Sequence, residues 1–138
     1  MIDKFPFTLV SPEKTVFSDH VSMVVLPGEE GDFGVLPRHA DLISLLRPGL
    51  IYIYQEKAIF QRIYVEEGIA NVNEKGCNVI ATECIFLQNL DRIEVESLIK
   101  EKLKEIEVAH SEQVKEALKR DLHFANIKLQ VLTKYLDG

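Results

Sequence analysis

The stretch Asn89–Leu90–Asp91–Arg92–Ile93–Glu94 separates two kinds of sequence. Asp91 is a natural helix N-cap, because its short carboxylate can accept from the orphan N–H groups of a first helical turn. Glu94, three residues on, completes a capping-box-like pair. Downstream the punctuation residues vanish: from Cys77 to Asp137 there is neither Gly nor Pro. Upstream they crowd. All five prolines precede residue 50, and six of the seven glycines lie between Gly28 and Gly76. Turns use Gly and Pro and helix interiors exclude them, so β structure is expected before the switch and helix after it.

After the switch, Val95, Leu98, Ile99, Leu103 and Ile106 fall on one face of a helix ending near Glu107. Val108–Ala109–His110 breaks it, and Ser111 caps a second helix reaching about Tyr135. There Leu118, Leu122, Ala125, Leu129, Leu132 and Leu136 repeat in alternating steps of four and three, a heptad seam. The pair reads as an antiparallel hairpin of helices about 25 to 37 Å long. One seam gives little core, so the hairpin must dock or be marginal, and a marginal element beside a rigid one is suited to switching.

Before the switch, short apolar or β-branched runs alternate with turn signals. Strands are expected at 5–10, 14–17, 20–26, 34–36, 42–46, 50–54, 58–65, 69–72, 77–81 and 85–87. Gln55–Glu56–Lys57 and Asn73–Glu74–Lys75–Gly76 read as hairpin turns. The fold class is therefore an all-β N-terminal sandwich of about ten short strands followed by an α-helical hairpin, with domains 1–87 and 88–138.

The 138 residues are 46% apolar and 28% charged, ample apolar surface to offset chain entropy. Residues 1–86 carry 7 basic and 12 acidic side chains, and residues 87–138 carry 9 and 10, as expected of exposed, salt-bridged helices. The net charge of −6 argues against a nucleic-acid partner. No apolar run approaches the roughly 18 residues that span a bilayer, so direct membrane insertion is not expected. The opening residues show neither a secretory signal nor a transit peptide. Cys77 and Cys84, seven apart, form neither a CxxC motif nor a zinc set and read as reduced core thiols, as expected in a cytoplasm-like compartment.

Catalytic signatures are missing. His20, His39, His110 and His123 are scattered, which suits isolated histidines and no metal site. GxSxG, Walker A, HExxH and GxGxxG do not occur. Lys57 at a hairpin tip resembles the lysine of biotin or lipoyl carriers, although a lysine at a turn is ordinarily solvated. The segment from Pro27 to Ala40, with three glycines and two prolines in its first eleven residues, reads as a rigid, irregular loop. Its apolar Phe33 and Leu36 either plug the end of the sandwich or form a contact surface.

Together the residues resemble the epsilon subunits of F-type ATP synthases, over essentially the whole chain. The resemblance rests on Leu9–Val10–Ser11–Pro12–Glu13–Lys14 and Val16–Phe17–Ser18. It rests above all on Pro27–Gly28–Glu29–Glu30–Gly31–Asp32–Phe33–Gly34–Val35–Leu36–Pro37 with His39–Ala40. Leu46–Arg47–Pro48–Gly49 and Gly68–Ile69–Ala70–Asn71–Val72 complete the ordered set. It implies a non-catalytic subunit of the central stalk, without a cofactor, peripheral on the cytoplasmic face of the bacterial inner membrane. Its sandwich would hold the gamma subunit and rest on the c-subunit ring. Its helices would lie folded beside the sandwich or extend along gamma to the catalytic alpha/beta head, inhibiting ATP hydrolysis.

Carried over by position, Glu30, Gly31, Asp32, Arg38 and His39 match the foot facing the c-ring. The family often has Gly at Arg38 and Pro at Asp41, so both charges are departures. Some members bind ATP through Ile/Leu-Asp-x-x-Arg-Ala. Here Leu90 and Asp91 keep the start, while Glu94 and Val95 replace Arg-Ala, putting a repulsive carboxylate where a phosphate needs a guanidinium. Lys115, Lys119 and Arg120 would meet an acidic segment of the head, unless Glu112 and Glu116 merely pair with them on a solvated face. The alternative to a stalk subunit is a nucleotide-sensing or carrier-type β domain with a helical tail.

Overall fold

The computed structural model describes residues 3–136. Ten strands come first: β1 (Phe5–Val10), β2 (Thr15–Val21), β3 (Met23–Gly28), β4 (Gly31–Val35), β5 (Leu42–Leu46), β6 (Gly49–Gln55), β7 (Ala58–Val65), β8 (Gly68–Asn73), β9 (Gly76–Ala81) and β10 (Ile85–Phe86). A 3₁₀ turn, Leu87–Asn89, leads to α1 (Arg92–Val108) and α2 (Glu112–Leu136). The chain divides between Leu87 and Gln88 into two compact units.

In the β unit the strands run in the order β10-β7-β6-β3-β5-β8-β9-β1-β2, with β4 paired on β3. β1 and β9 are parallel and the other pairs antiparallel. The sheet curls on itself, and alternate side chains close one core. Phe7, Leu9, Val21, Val24, Leu26, Ile51, Ile53 and Ile63 are fully buried in it. Cys77 is buried and Cys84 half-buried, both as free thiols. Burial pushes Cys77 up to about 12. Burial and then Glu83 and Glu13 push Cys84 up to about 11, so neither is a thiolate at neutral pH.

Two sequence expectations need correction here. The run 20–26 is not one strand. It is divided at Ser22, whose backbone N–H and hydroxyl both donate to the Tyr54 carbonyl at 3.0 Å, while the Glu56 N–H donates to the Ser22 hydroxyl. That double attachment to the end of β6 turns the chain between β2 and β3. The segment after Pro27 is not an irregular loop either. It is the β3–β4 hairpin, closed by Glu29–Glu30, followed by a short connection to β5. Phe33 packs half-buried against the core, whereas Leu36 is exposed.

In the helical unit both expected caps form. Asp91 Oδ1 accepts from the N–H groups of Ile93 (2.9 Å) and Glu94 (3.3 Å). Ser111 Oγ accepts from Gln113 (3.2 Å) and Val114 (3.4 Å). Of the seam, Ala125 and Leu132 are buried and Leu118, Leu122 and Leu129 half-buried; the Leu136 side chain lies outside the described residues. On α1, Val95 is buried but Leu103 is 48% exposed, contrary to its expected place on the inner face. The neighbouring Lys102 takes the inter-helix position, reaching Asp121 of α2 at 3.7 Å and Glu105 at 3.6 Å.

Candidate functional site

The β3–β4 turn is built by its glycines. Gly28 pairs with Gly31 across a two-residue turn. A Cβ on Gly28 would stand 2.6 Å from the Gly31 carbonyl oxygen and 2.9 Å from the Phe33 ring. Gly31 has φ +136°, which side-chain-bearing residues rarely adopt. The turn therefore holds one tight shape and presents exposed Glu29, Glu30 and Asp32. With Leu42, Ile43, Ser44 and Leu45 they border a cleft of about 640 Å³.

Asp32 is already engaged. Arg47 Nη2 donates to its Oδ1 at 2.6 Å, and Nη1 donates to the Gly28 carbonyl at 2.7 Å. Arg38 and His39, also expected at the foot, lie beyond the far end of β4, a five-residue strand about 17 Å long. Arg38, with φ 61°, bonds Asp3 at 2.8 Å. His39 Nδ1 is 2.6 Å from the Ala40 carbonyl, so that nitrogen carries the donated proton. The five residues expected at the foot thus form two groups, Glu30–Gly31–Asp32 and Arg38–His39.

A third surface was not foreseen. Leu45 of β5 stands opposite Ile69 of β8, Ile69 opposite Ile80 of β9, and Ile80 opposite Val10 of β1. Leu45, Ile69 and Ile80 are 55%, 49% and 64% exposed, and Ile43 beside them 72%. The row borders a cleft of about 710 Å³ that Pro12, Arg47 and Pro48 help to line. A contiguous apolar row on the outside of a sheet marks a contact surface. The sequence signal was there: β5, LISLL, is apolar on both faces, as a strand covered on both sides would be.

On the helices, Glu94 is exposed and Val95 buried, while the Asp91 carboxylate caps α1. Arg92 donates to Glu96 (3.0 Å) and across to Thr133 of α2 (3.3 Å). Lys115 and Lys119 make only long pairs, 3.9 Å, with Glu112 and Glu116, and Arg120 lies 5.5 Å from the Phe124 ring centroid. Lys57 sits exposed in the β6–β7 turn. Among the described residues no cluster of His, Cys, Asp and Glu could hold a metal, and no helix is long and apolar enough to cross a membrane.

These features define a β-sandwich followed by a helical hairpin, with an acidic turn and an outer apolar row as its notable surfaces. Residues 4–86 match the family model described as ATP synthase, Delta/Epsilon chain, beta-sandwich domain. The ATP synthase epsilon chain of Rhodospirillum rubrum is 42% identical over 122 residues, covering 83% of this chain and 91% of that one. That of Rhodospirillum centenum is 39% identical over 143 residues, covering 100% and 98%. The chain belongs to the ATP synthase delta/epsilon family, on its epsilon side. In fold it matches a chain of the Euglena gracilis mitochondrial ATP synthase OSCP/F1/c-ring structure, with TM-score 0.79, 20% identity, and coverage of 94% and 81%. It also matches a chain of the Tetrahymena thermophila mitochondrial ATP synthase central stalk/c-ring structure, with TM-score 0.59, 16% identity, and coverage of 96% of each.

Proposed function

We propose that this epsilon chain is a non-catalytic rotor subunit that couples proton translocation to ATP synthesis by binding gamma and the c-subunit ring. It would work peripherally at the cytoplasmic face of the bacterial inner membrane. The observation that carries the reading is the pair of unlike surfaces on one sandwich. The outer row Leu45–Ile69–Ile80 supports a broad apolar contact, assigned to gamma. The acidic turn Glu30–Gly31–Asp32, with Arg38 and His39 beyond β4, supports a polar contact with the ring. A part of a rotor must grip both, since torque passes only through contacts that hold while it turns. We assign the sandwich, 1–87, to permanent binding, and the hairpin, 88–138, to regulation of hydrolysis at the alpha/beta head.

Pull-down of a gamma subunit tests the first assignment. Leu45→Glu with Ile80→Glu should abolish capture, because two carboxylates would be buried unpaired; unchanged capture would overturn the apolar face as the gamma site. ATPase assays of the reconstituted complex test the second. Lys115→Glu, Lys119→Glu and Arg120→Glu together should relieve inhibition several-fold with assembly intact, at about 0.3 to 1 kcal/mol per contact. Unchanged hydrolysis at low and moderate salt would reduce these three to a solvated face.

A further inference from the structure

Arg47 stands between the acidic turn and the apolar cleft, and its bonds run to the turn. Two backbone bonds first stitch the β3–β4 hairpin to the end of β5: Glu29 N–H to the Leu45 carbonyl and Arg47 N–H to the Pro27 carbonyl, both 2.9 Å. β3 meets β5 in the ladder at one residue pair, Gly28 with Leu46. The guanidinium then adds Gly28 O and Asp32 Oδ1, at 2.7 and 2.6 Å. Glu29, Glu30 and Asp32 bring three carboxylates into four residues, whose mutual repulsion opposes a tight turn. Arg47 is the cation that the fold brings to them. A planar fork can serve a carbonyl and a carboxylate at once, which a lysine ammonium does less well.

We infer that Arg47 is a positioning residue. Its guanidinium clasps the β3–β4 turn in the shape its partner meets, and Asp32 serves that clasp while Glu29 and Glu30 remain free to face outward. The inference deepens the reading of the turn as the c-ring surface and rests on it. It assigns Asp32 a role different from direct contact, and it names a residue outside the acidic turn on which ring binding depends.

The test uses the full chain. Amide hydrogen exchange is read on the free chain, and affinity for detergent-solubilised c-ring on its preformed complex with gamma. Arg47→Gln should speed exchange at the Glu29 amide about three- to tenfold and weaken ring binding by a similar factor. Arg47→Lys should recover part of both. Asp32→Asn should weaken ring binding alone but add nothing in the Arg47→Gln background, because its effect passes through Arg47. A merely structural loss would lower the melting temperature and raise exchange across the whole sheet without singling out the turn. Unchanged exchange at Glu29 in Arg47→Gln overturns the clasp. Further weakening by Asp32→Asn in the Arg47→Gln background overturns it too, since Asp32 would then touch the ring itself. Faster exchange at Glu29 with full ring affinity leaves the clasp standing and overturns the c-ring reading instead.

Discussion

Seventeen side chains of the β unit belong to one buried cluster, whereas the helical unit contributes three buried apolar side chains among the described residues, Val95, Ala125 and Leu132. With so few buried, the helices also leave four large apolar side chains outside: Ile93 is 78% exposed, Val108 70%, Val114 50% and Leu103 48%. The difference follows from geometry. A sheet that curls on itself closes a core with its own strands, so every second residue finds an apolar neighbour. Two helices share a single seam, and each turn offers about one side chain to it. The β unit should therefore carry its own stability, while the helical unit depends on what it packs against, which makes it the half that a partner can bias.

The sharpest way to break this comparison is to cut between the units. Residues 1–87 alone should keep a cooperative thermal transition, while residues 88–138 alone should show weak helicity and no cooperative melt by circular dichroism. A molten or insoluble β fragment would make the hairpin part of the core. Single substitutions come next. Leu26→Ala, at a fully buried site, should cost about 2 to 5 kcal/mol in denaturant unfolding. Leu103→Ala should change stability by under about 0.5 kcal/mol. Similar costs at the two sites would contradict the contrast in burial.

Alkaline pH gives a smaller separation of the halves. In the β unit, burial raises the Cys77 thiol from its ordinary 9.0 to about 12, and burial with Glu66 raises Tyr64, whose hydroxyl bonds Glu66 at 3.1 Å. Both groups stay neutral when folded, and the unfolded chain ionises first. Their stabilisation is therefore complete below about pH 9 and is lost as pH rises from there toward 12. The melting temperature should fall by about 5 °C or more between pH 8 and pH 11, and Cys77→Ala should flatten the fall. An equal fall in Cys77→Ala would assign the loss to other groups.

Most of the fold was legible because its signals are local. Pro, Gly and the caps Asp91 and Ser111 mark boundaries within a few residues of where they act, and nine of the ten expected strands overlap a single observed strand. The break at Ser22 was not legible, since its cause is the Tyr54 carbonyl, 32 residues away. The β3–β4 hairpin was hidden for a related reason. Its turn glycines look like loop punctuation until Gly28 is paired with Gly31. Site legibility follows the same rule. Glu30 and Asp32 were singled out only through the family resemblance of their segment, but the row Leu45–Ile69–Ile80 exists only once three strands are in register. Arg47 likewise acquires its role from Gly28 and Asp32, 19 and 15 residues upstream.

The smallest expected effect concerns nucleotide on the helical unit. In the ATP-binding motif that the family resemblance implies, the fourth residue after Leu90 would bring a guanidinium to phosphate; here that residue is Glu94, exposed and acidic. The neighbouring guanidinium that could compensate is occupied: Arg92 is held by Glu96 on its own helix and Thr133 on the next. A bound phosphate would meet a like charge and find no guanidinium released to answer it. ATP at about 1 mM should then add under about 0.4 kcal/mol, the value mass action gives when ligand equals Kd. The measurement is thermal unfolding with and without ATP, and a rise of several degrees would overturn the expectation. Glu94→Arg with Val95→Ala separates charge from shape. A clear ATP-dependent gain in that variant would show that the carboxylate at 94 is the obstacle. No gain would show that Glu94 and Val95 are not the sole obstacle to nucleotide binding.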